Sequence, residues 1–422
     1  VSVGNIIFFL DENLFERISG KSGVTLGIRL RSYIFQYQAV EISIIEGFLM
    51  SRKVNTTKKS KIPFVYFADA KVEKLEPDRT LPAKFKRMLK KFKLEKRVKD
   101  KSVGIKMHYG GNLGFTTIHP LFIRLLVDAL KEAGAKSIKA MDNNPETGIP
   151  RGYTREVLGC ELVSTFGSTG KYLYEKKIGF GTLDTAFFGG EAMDCDFLID
   201  LSHVKGHGAC GFGGALKNIA MGVVDRSTRS KLHRLEGGIK YNKKKCTFCK
   251  KCFKECPNGA ITVDEEKKDI GFFFHHCTYC QHCVMICPQG ALTMTERKFK
   301  DFSQGMALVT NEFLKNFAPE NLLFINILLN ITIFCDCWGM SSPAIVPDIG
   351  ILASDDINAV EYASLDMVKH ENLMESGLPK GRKLHDEGHL FERIHGKDPY
   401  IMLDYLKELR GADREYDLKT VK

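Results

Sequence analysis

Nowhere in the 422 residues does an apolar run reach the length of a membrane span. The longest, from Asn321 to Phe334, is interrupted by Asn321, Asn326 and Asn330 and reads as a buried strand or helix. Ile6 to Leu10 is too short for a signal-peptide core, and Asp11 and Glu12 follow it directly. The glycine-rich stretches contain neither a P-loop nor the full spacing of a dinucleotide fingerprint, so no nucleotide site is signalled. Carboxylates are the charge in short supply: 51 Asp and Glu against 62 Lys and Arg leave a net charge of +11. That excess would suit nucleic acid or an acidic protein, but no nucleic-acid motif accompanies it. Much of it is local. Leu81 to Lys101 holds ten Lys or Arg, with Phe85, Met88, Leu89, Phe92 and Val98 near helical spacing. This is an amphipathic basic helix, whose charges form a solvated face or a docking surface for an acidic electron carrier.

What the chain has in abundance is cysteine, 13 in all. Eight form two runs, Cys246-Thr-Phe-Cys249-Lys-Lys-Cys252-Phe-Lys-Glu-Cys256-Pro257 and Cys277-Thr-Tyr-Cys280-Gln-His-Cys283-Val-Met-Ile-Cys287-Pro288. Each is C-x2-C-x2-C-x3-C-P, the spacing that wraps thiolates around a four-iron cluster. The echo continues beyond the cysteines, from Pro257–Val263 to Pro288–Met294, with every matched pair 31 positions apart. One small unit has been duplicated. A zinc site wants pairs of cysteines around one tetrahedral ion and leaves thiols unexplained. Pro257 and Pro288 would end each short helix.

This part of the chain resembles the bacterial two-cluster ferredoxins. In those proteins the fourth cysteine of each run ligates the other cluster. The resemblance therefore implies two [4Fe-4S] clusters, one on Cys246, Cys249, Cys252 and Cys287, the other on Cys277, Cys280, Cys283 and Cys256. Such clusters need a reducing compartment, which places the protein in the cytoplasm.

Around the cysteine runs the pattern is layered. Ser102–His108, Ser137–Asp142 and Cys195–Ser202 read as strands, and His119–Gly134 as an amphipathic helix with a glycine stop. Beyond the runs, Phe302–Phe317 and Asn358–His370 read as helices, and Leu322–Phe334 and Val346–Ala353 as strands. The expected fold class is α/β: a mostly parallel sheet with helices, interrupted by a small inserted α+β ferredoxin-like domain. The divisions are 1–49, an extension preceding the start-like Met50-Ser-Arg-Lys; 50–100, a basic helical segment; and 101–238, the first part of the α/β domain. The insert occupies 239–297, the second α/β part 298–370, and a tail with a helix near Tyr400–Leu409 spans 371–422.

A second concentration of chemistry runs from His203 to Asn218. It follows a strand, precedes a helix pattern, and holds His203, Lys205, His207, Cys210, Gly211, Gly213, Gly214, Lys217 and Asn218. A glycine-rich strand-to-helix turn presents backbone N–H groups and a positive helix end to an anion. His203 and His207 are candidate proton donors or ligands, and Lys205 and Lys217 candidate cations for an anionic substrate. Lys106, His108 and Asp142 join them from neighbouring strand ends. Equally, the histidines would fill a strand end, the lysines would be solvated, and Cys210 would be a small buried residue. Cys335-Asp336-Cys337 follows the long apolar segment. Its two sulfurs are either reduced thiols near the core or, with Cys210 or His207, a further metal or redox site.

Taken together, Lys106-Met-His108, His203 to Asn218, the cysteine runs, Cys335-Asp-Cys337 and Pro347–Ser354 resemble the family of domain of unknown function 362. The resemblance covers roughly Lys101 to Val421. One departure is Asp355–Glu361, where relatives tend to show a K-D-P-V-A-I-D type run. The family implies a fold and an iron–sulfur content and no particular substrate. The functional reading is an oxidoreductase passing electrons from a ferredoxin- or flavodoxin-type carrier through two clusters to an anionic substrate. The other reading is a non-catalytic electron-transfer or metal-handling subunit, which predicts an exposed apolar patch and no enclosed pocket beside His203.

Overall fold

The computed structural model describes residues 62–422, apart from residues 112, 257–258, 278–281, 296–297 and 340. The expected extension at 1–49 and the ligand position Cys280 lie outside the described residues.

Eight strands form the central sheet: β1 (Phe64–Asp69), β2 (Ser102–Lys106), β3 (Ser137–Asp142), β4 (Glu161–Ser164), β5 (Phe197–His203), β6 (Leu322–Leu328), β7 (Gly350–Ser354) and β8 (Asp417–Thr420). Across the sheet they run β8-β1-β7-β6-β5-β2-β3-β4. All neighbours are parallel except that β7 opposes both β1 and β6. The fold is α/β, as the layered sequence pattern implies.

Parallel strands buried on both faces read as continuous apolar runs, and β6 does so because its alternate side chains enter different cores. Leu322, Phe324 and Leu328 face one core, while Leu323, Ile325 and Ile327 face the other. On the second of these lie α1 (Leu81–Lys91) and α2 (Pro120–Glu132). The opposite face is covered by α3 (Ala215–Gly222), α4 (Arg226–Leu235), α5 (Phe299–Leu314), α6 (Ile357–Met367) and α7 (Tyr400–Arg410). In and after α1, Phe85, Met88, Leu89, Phe92 and Val98 are all buried. Among its lysines Lys84 is the exception to a solvated face, turning in to donate to the carbonyls of Asp69 and Lys71.

The segment 50–100 is more than helical, since it supplies β1. Its register partner β7 lies far along the chain, and a five-residue apolar patch next to a lysine-rich run gives no local sign of that pairing. Nor is 371–422 merely a tail, because α7 packs on α5 and β8 pairs with β1. Among the described residues no helix is long and apolar enough to cross a membrane.

The cysteine-rich insert leaves and rejoins the sheet domain side by side. Ile239–Tyr241 pairs antiparallel with Leu292–Met294. Thr295 N–H donates to Gly238 O at 2.8 Å, and Lys298 N–H to Glu236 O at 3.0 Å. A second hairpin joins Ile261–Asp264 to Asp269–Phe272. A small separate core is built from Cys252, Ile261, Ile270, Cys283 and Leu292, and the 31-residue echo is visible in it as the pairs Cys252/Cys283 and Ile261/Leu292.

The chain lays β2, β3 and β4 in one direction and then places β5 on the other side of β2. Such a reversal opens a crevice at the carboxyl ends of the strands, where sheets of this class bind ligands.

Candidate active site

A cavity of about 430 Å³ occupies that crevice. Lys106 and His108 enter it from the end of β2, Asp142 and Asn143 from β3, and Ser202 and His203 from β5. Gly213, Gly214, Lys217 and Asn218 come from the turn into α3 and from α3 itself. Arg226, Arg229, Ser230 and His233 come from α4, and Cys335, Asp336 and Cys337 from the segment after β6. Met221 and Gly222 of α3, and Phe272, Phe273 and Phe274 of the insert, complete the wall.

Two buried carboxylates organise the rim, each gripping one lysine and one histidine. Asp142 accepts from Lys106 Nζ at 3.2 Å and from Tyr109 N–H at 3.0 Å, and it faces His108 Nδ1 at 2.7 Å. Burial alone would raise its carboxyl, but Lys106 and His108 overcome this and hold it well below the usual carboxylate range. Asp336 accepts from Lys205 Nζ at 2.6 Å and faces His203 Nδ1 at 2.9 Å. It too is held low against its burial by His203 and Lys205.

The two histidines differ in what remains available. His203 spends its second nitrogen on Leu329 O at 2.6 Å. His108 keeps Nε2 without a hydrogen-bond partner, on a side chain that lines the cavity. Asp142 fixes Nδ1 and with it the orientation of the ring.

The glycine-rich turn already binds a carboxyl group of the fold. Glu361, fully buried on α6, accepts from the N–H groups of Ala215 and Leu216 at 2.7 and 3.2 Å. Asn326 Nδ2 donates to the same carboxylate at 2.8 Å. A side chain at Gly214 would collide with it, which explains the glycine there. The positive end of α3 is therefore satisfied from within the fold rather than offered to a ligand. Asp200, also fully buried, receives hydrogen bonds from Ser202 Oγ and from Asn218 Nδ2. Burial pushes Asp200 up to about 8 and Glu361 to about 7.

At the cavity floor Cys335 and Cys337 form a disulfide. Lys217 Nζ lies 3.2 Å from one sulfur and 3.3 Å from the other. Among the described residues, His207, Cys335 and Cys337 are the one set of three or more His, Cys, Asp or Glu side chains whose ligand atoms all lie within 4.8 Å of one another.

In the insert, Cys246, Cys249, Cys252 and Cys287 line a single cavity. Burial, and then the neighbouring Cys246, Cys249 and Cys287, push the Cys252 thiol up. A tetrahedral zinc with Zn–S near 2.3 Å would hold its sulfurs ~3.8 Å apart, yet no three of these sulfurs lie within 4.8 Å of one another. Backbone N–H groups also point at sulfur in both halves, Ala260 to Cys256 at 3.2 Å and Ala291 to Cys287 at 3.3 Å.

The family model described as domain of unknown function (DUF362) matches residues 103–366. The chain belongs to this family. No curated protein sequence matches it. Among solved structures it is similar to a Thermotoga maritima protein, at 15% identity and TM-score 0.32, over 60% of this chain and 52% of that one. It is also similar to the lactate racemase apoprotein of Thermoanaerobacterium thermosaccharolyticum, at 11% identity and TM-score 0.31, over 63% of this chain and 50% of that one. The chain thus spans about half the length of the solved structures it matches.

Of the expected residues, Lys106, His108, Asp142, His203, Gly213, Gly214, Lys217 and Asn218 meet at the cavity of this DUF362 member. Lys205 does not reach it as a free cation, since its three donors go to Asp336, Thr116 O and Thr116 Oγ1. Cys210 stands apart, its thiol donating to Phe212 O at 3.1 Å and pushed by burial up to about 12. Gly211, at φ +80°, packs on Lys397 and Pro399 and does not cradle a ligand. His207 does not line the cavity, although a ring nitrogen lies within 4.8 Å of both sulfurs of the disulfide. Asp336, Asp200, Glu361, Arg226 and Arg229 were not singled out by the sequence. Asp336, between two cysteines, carried the one signal that could have pointed to it.

Proposed function

We propose that the protein is an iron–sulfur oxidoreductase acting on a small anionic substrate held in the cavity at the carboxyl edge of the sheet. The observation that carries this reading is the shared wall: Phe272–Phe274, three residues before Cys277, face the basic side chains of the sheet domain across one cavity. Two [4Fe-4S] clusters, on Cys246, Cys249, Cys252 and Cys287 and on Cys256, Cys277, Cys280 and Cys283, would supply single electrons at low potential. Lys217, Arg226 and Arg229 place positive charge around the substrate. His108, oriented by Asp142, transfers the proton that a reduced substrate needs. Lys106, buried against Asp142, Asn218 and Met107 O, positions that dyad. A small acidic carrier of ferredoxin or flavodoxin type would deliver the electrons, inside a reducing compartment. An electron-carrying subunit without catalysis has no use for a cavity lined by two carboxylate–histidine pairs and by Lys217, Arg226 and Arg229.

The test is purification without oxygen, followed by iron and sulfide analysis and identification of any small anion that copurifies. Iron and sulfide near eight each per chain support the reading. His108→Asn should then lower turnover of the identified substrate by about 100-fold or more with the cluster spectrum unchanged. A preparation free of iron and sulfide, or full turnover by the variant, sinks the proposal.

A further inference from the structure

We propose that Cys335 and Cys337 are a redox-active pair that stores two electrons beside the substrate cavity, with Lys217 holding the thiolate of the reduced form. The electron source rests on the iron–sulfur reading above; the redox activity of the pair does not.

Three observations meet here. The sulfurs are joined across a single intervening residue and both line the cavity, Cys335 buried and Cys337 half-buried. Lys217 Nζ sits within 3.3 Å of both, so an amine that burial disfavours as a cation gains its compensating negative charge when a thiolate forms on reduction. Trp338, the residue after Cys337, stacks on His276 at 5.0 Å and 19° between ring planes, and His276 immediately precedes Cys277. Aromatic contact therefore links the second cysteine run to the pair.

A metal site is the competing use of His207, Cys335 and Cys337. Two features count against it. Lys217 Nζ already sits 3.2 and 3.3 Å from the two sulfurs, on the side where an ion would bind them. His207 Nδ1 accepts the N–H groups of Ala209 and Cys210 at 3.1 and 3.3 Å, which leaves the proton of the neutral ring on Nε2, where a metal would need a lone pair.

The step balances simply. Two electrons arrive singly from an iron–sulfur reductant and the S–S bond breaks. One proton, from solvent at the cavity mouth, makes Cys337 a thiol, while Cys335 remains a thiolate against Lys217. One-electron donors are thereby matched to a two-electron reaction.

The full chain is purified without oxygen and its iron and sulfide measured. Iron-loaded and iron-stripped samples are then exposed to photoreduced deazaflavin, and free thiols are trapped with a maleimide and mapped by mass spectrometry. The expected result is maleimide on Cys335 and Cys337 after reduction of the loaded protein, and much less in the stripped one. His276→Leu and, separately, Trp338→Leu should slow that labelling at unchanged iron content. In dithiothreitol-reduced protein, Lys217→Met should slow alkylation of the pair at pH 7 by about tenfold, and Lys217→Arg should restore it. A pair found reduced in every preparation with one zinc per chain overturns the proposal. So does alkylation indifferent to residue 217. Absence of iron and sulfide overturns the preceding section instead, and leaves the Lys217 experiment to decide this one.

Discussion

Two of the three histidines that the sequence singles out, His108 and His203, are positioned by a carboxylate, and what the other ring nitrogen meets decides what each can do. His203 and His108 are alike in sequence, one residue removed from a lysine, and both meet a buried aspartate. They part company only through Leu329 O, a backbone atom whose position no motif encodes. The buried acids also set a pH dependence. Asp200 and Glu361 keep their protons in the folded state up to about 8 and 7, whereas unfolded they would release them near pH 4. Between those limits the folded state binds more protons than the unfolded one, so stability falls as pH rises. Denaturant titrations at pH 5 and pH 8.5 should show that loss, up to about 1.4 kcal/mol per pH unit per group. Asp200→Asn, which cannot ionise, should lose less over the same interval. Asp142 and Asp336, held low, act in the opposite sense and only in acid, where their contribution disappears as pH falls below about 4.

At the scale of elements, the turn into α3 is the instructive case. Its glycines and its position after a strand were legible, and they correctly place it at the cavity. What was not legible is that the N–H groups of the helix end are already hydrogen-bonded, because Glu361 lies 146 residues beyond Ala215. The unusual run Asp355–Glu361 thus ends in an acid that fastens α6 to α3. Glu361→Ala should destabilise the protein by about 1–3 kcal/mol through the stranded N–H groups and the Asn326 amide, measured by urea unfolding. Glu361→Gln should recover part of this. By contrast, the apolar stripe of the basic segment was legible, since all five of its residues are buried, but the helix expected through Lys101 stops at Lys91, with Phe92 and Val98 beyond it. Strand direction is a different matter. Nothing local distinguishes β7, antiparallel, from the parallel strands around it, and β1 was missed because its worth depends on β7.

On the scale of the molecule, the duplicated cysteine runs were the most legible feature, and the sheet domain's interruption followed from them. The adjoining ends of the insert make it separable. Replacing residues 239–294 with a short Gly-Ser linker should leave the sheet domain cooperatively folded, with far-UV circular dichroism reduced only in proportion. An expanded product that binds hydrophobic dye would show instead that the insert is integral to the core. The shared cavity could not be foreseen, because it needs Phe272–Phe274 and the strand ends to meet in space.

The antiparallel strand has one more effect, on biosynthesis. Ser354 of β7 hydrogen-bonds to Phe64 of β1 across 290 residues. A ribosome making this chain releases β1 long before its neighbour exists, so that strand's unpaired edge is an obvious client for a holding chaperone throughout most of translation.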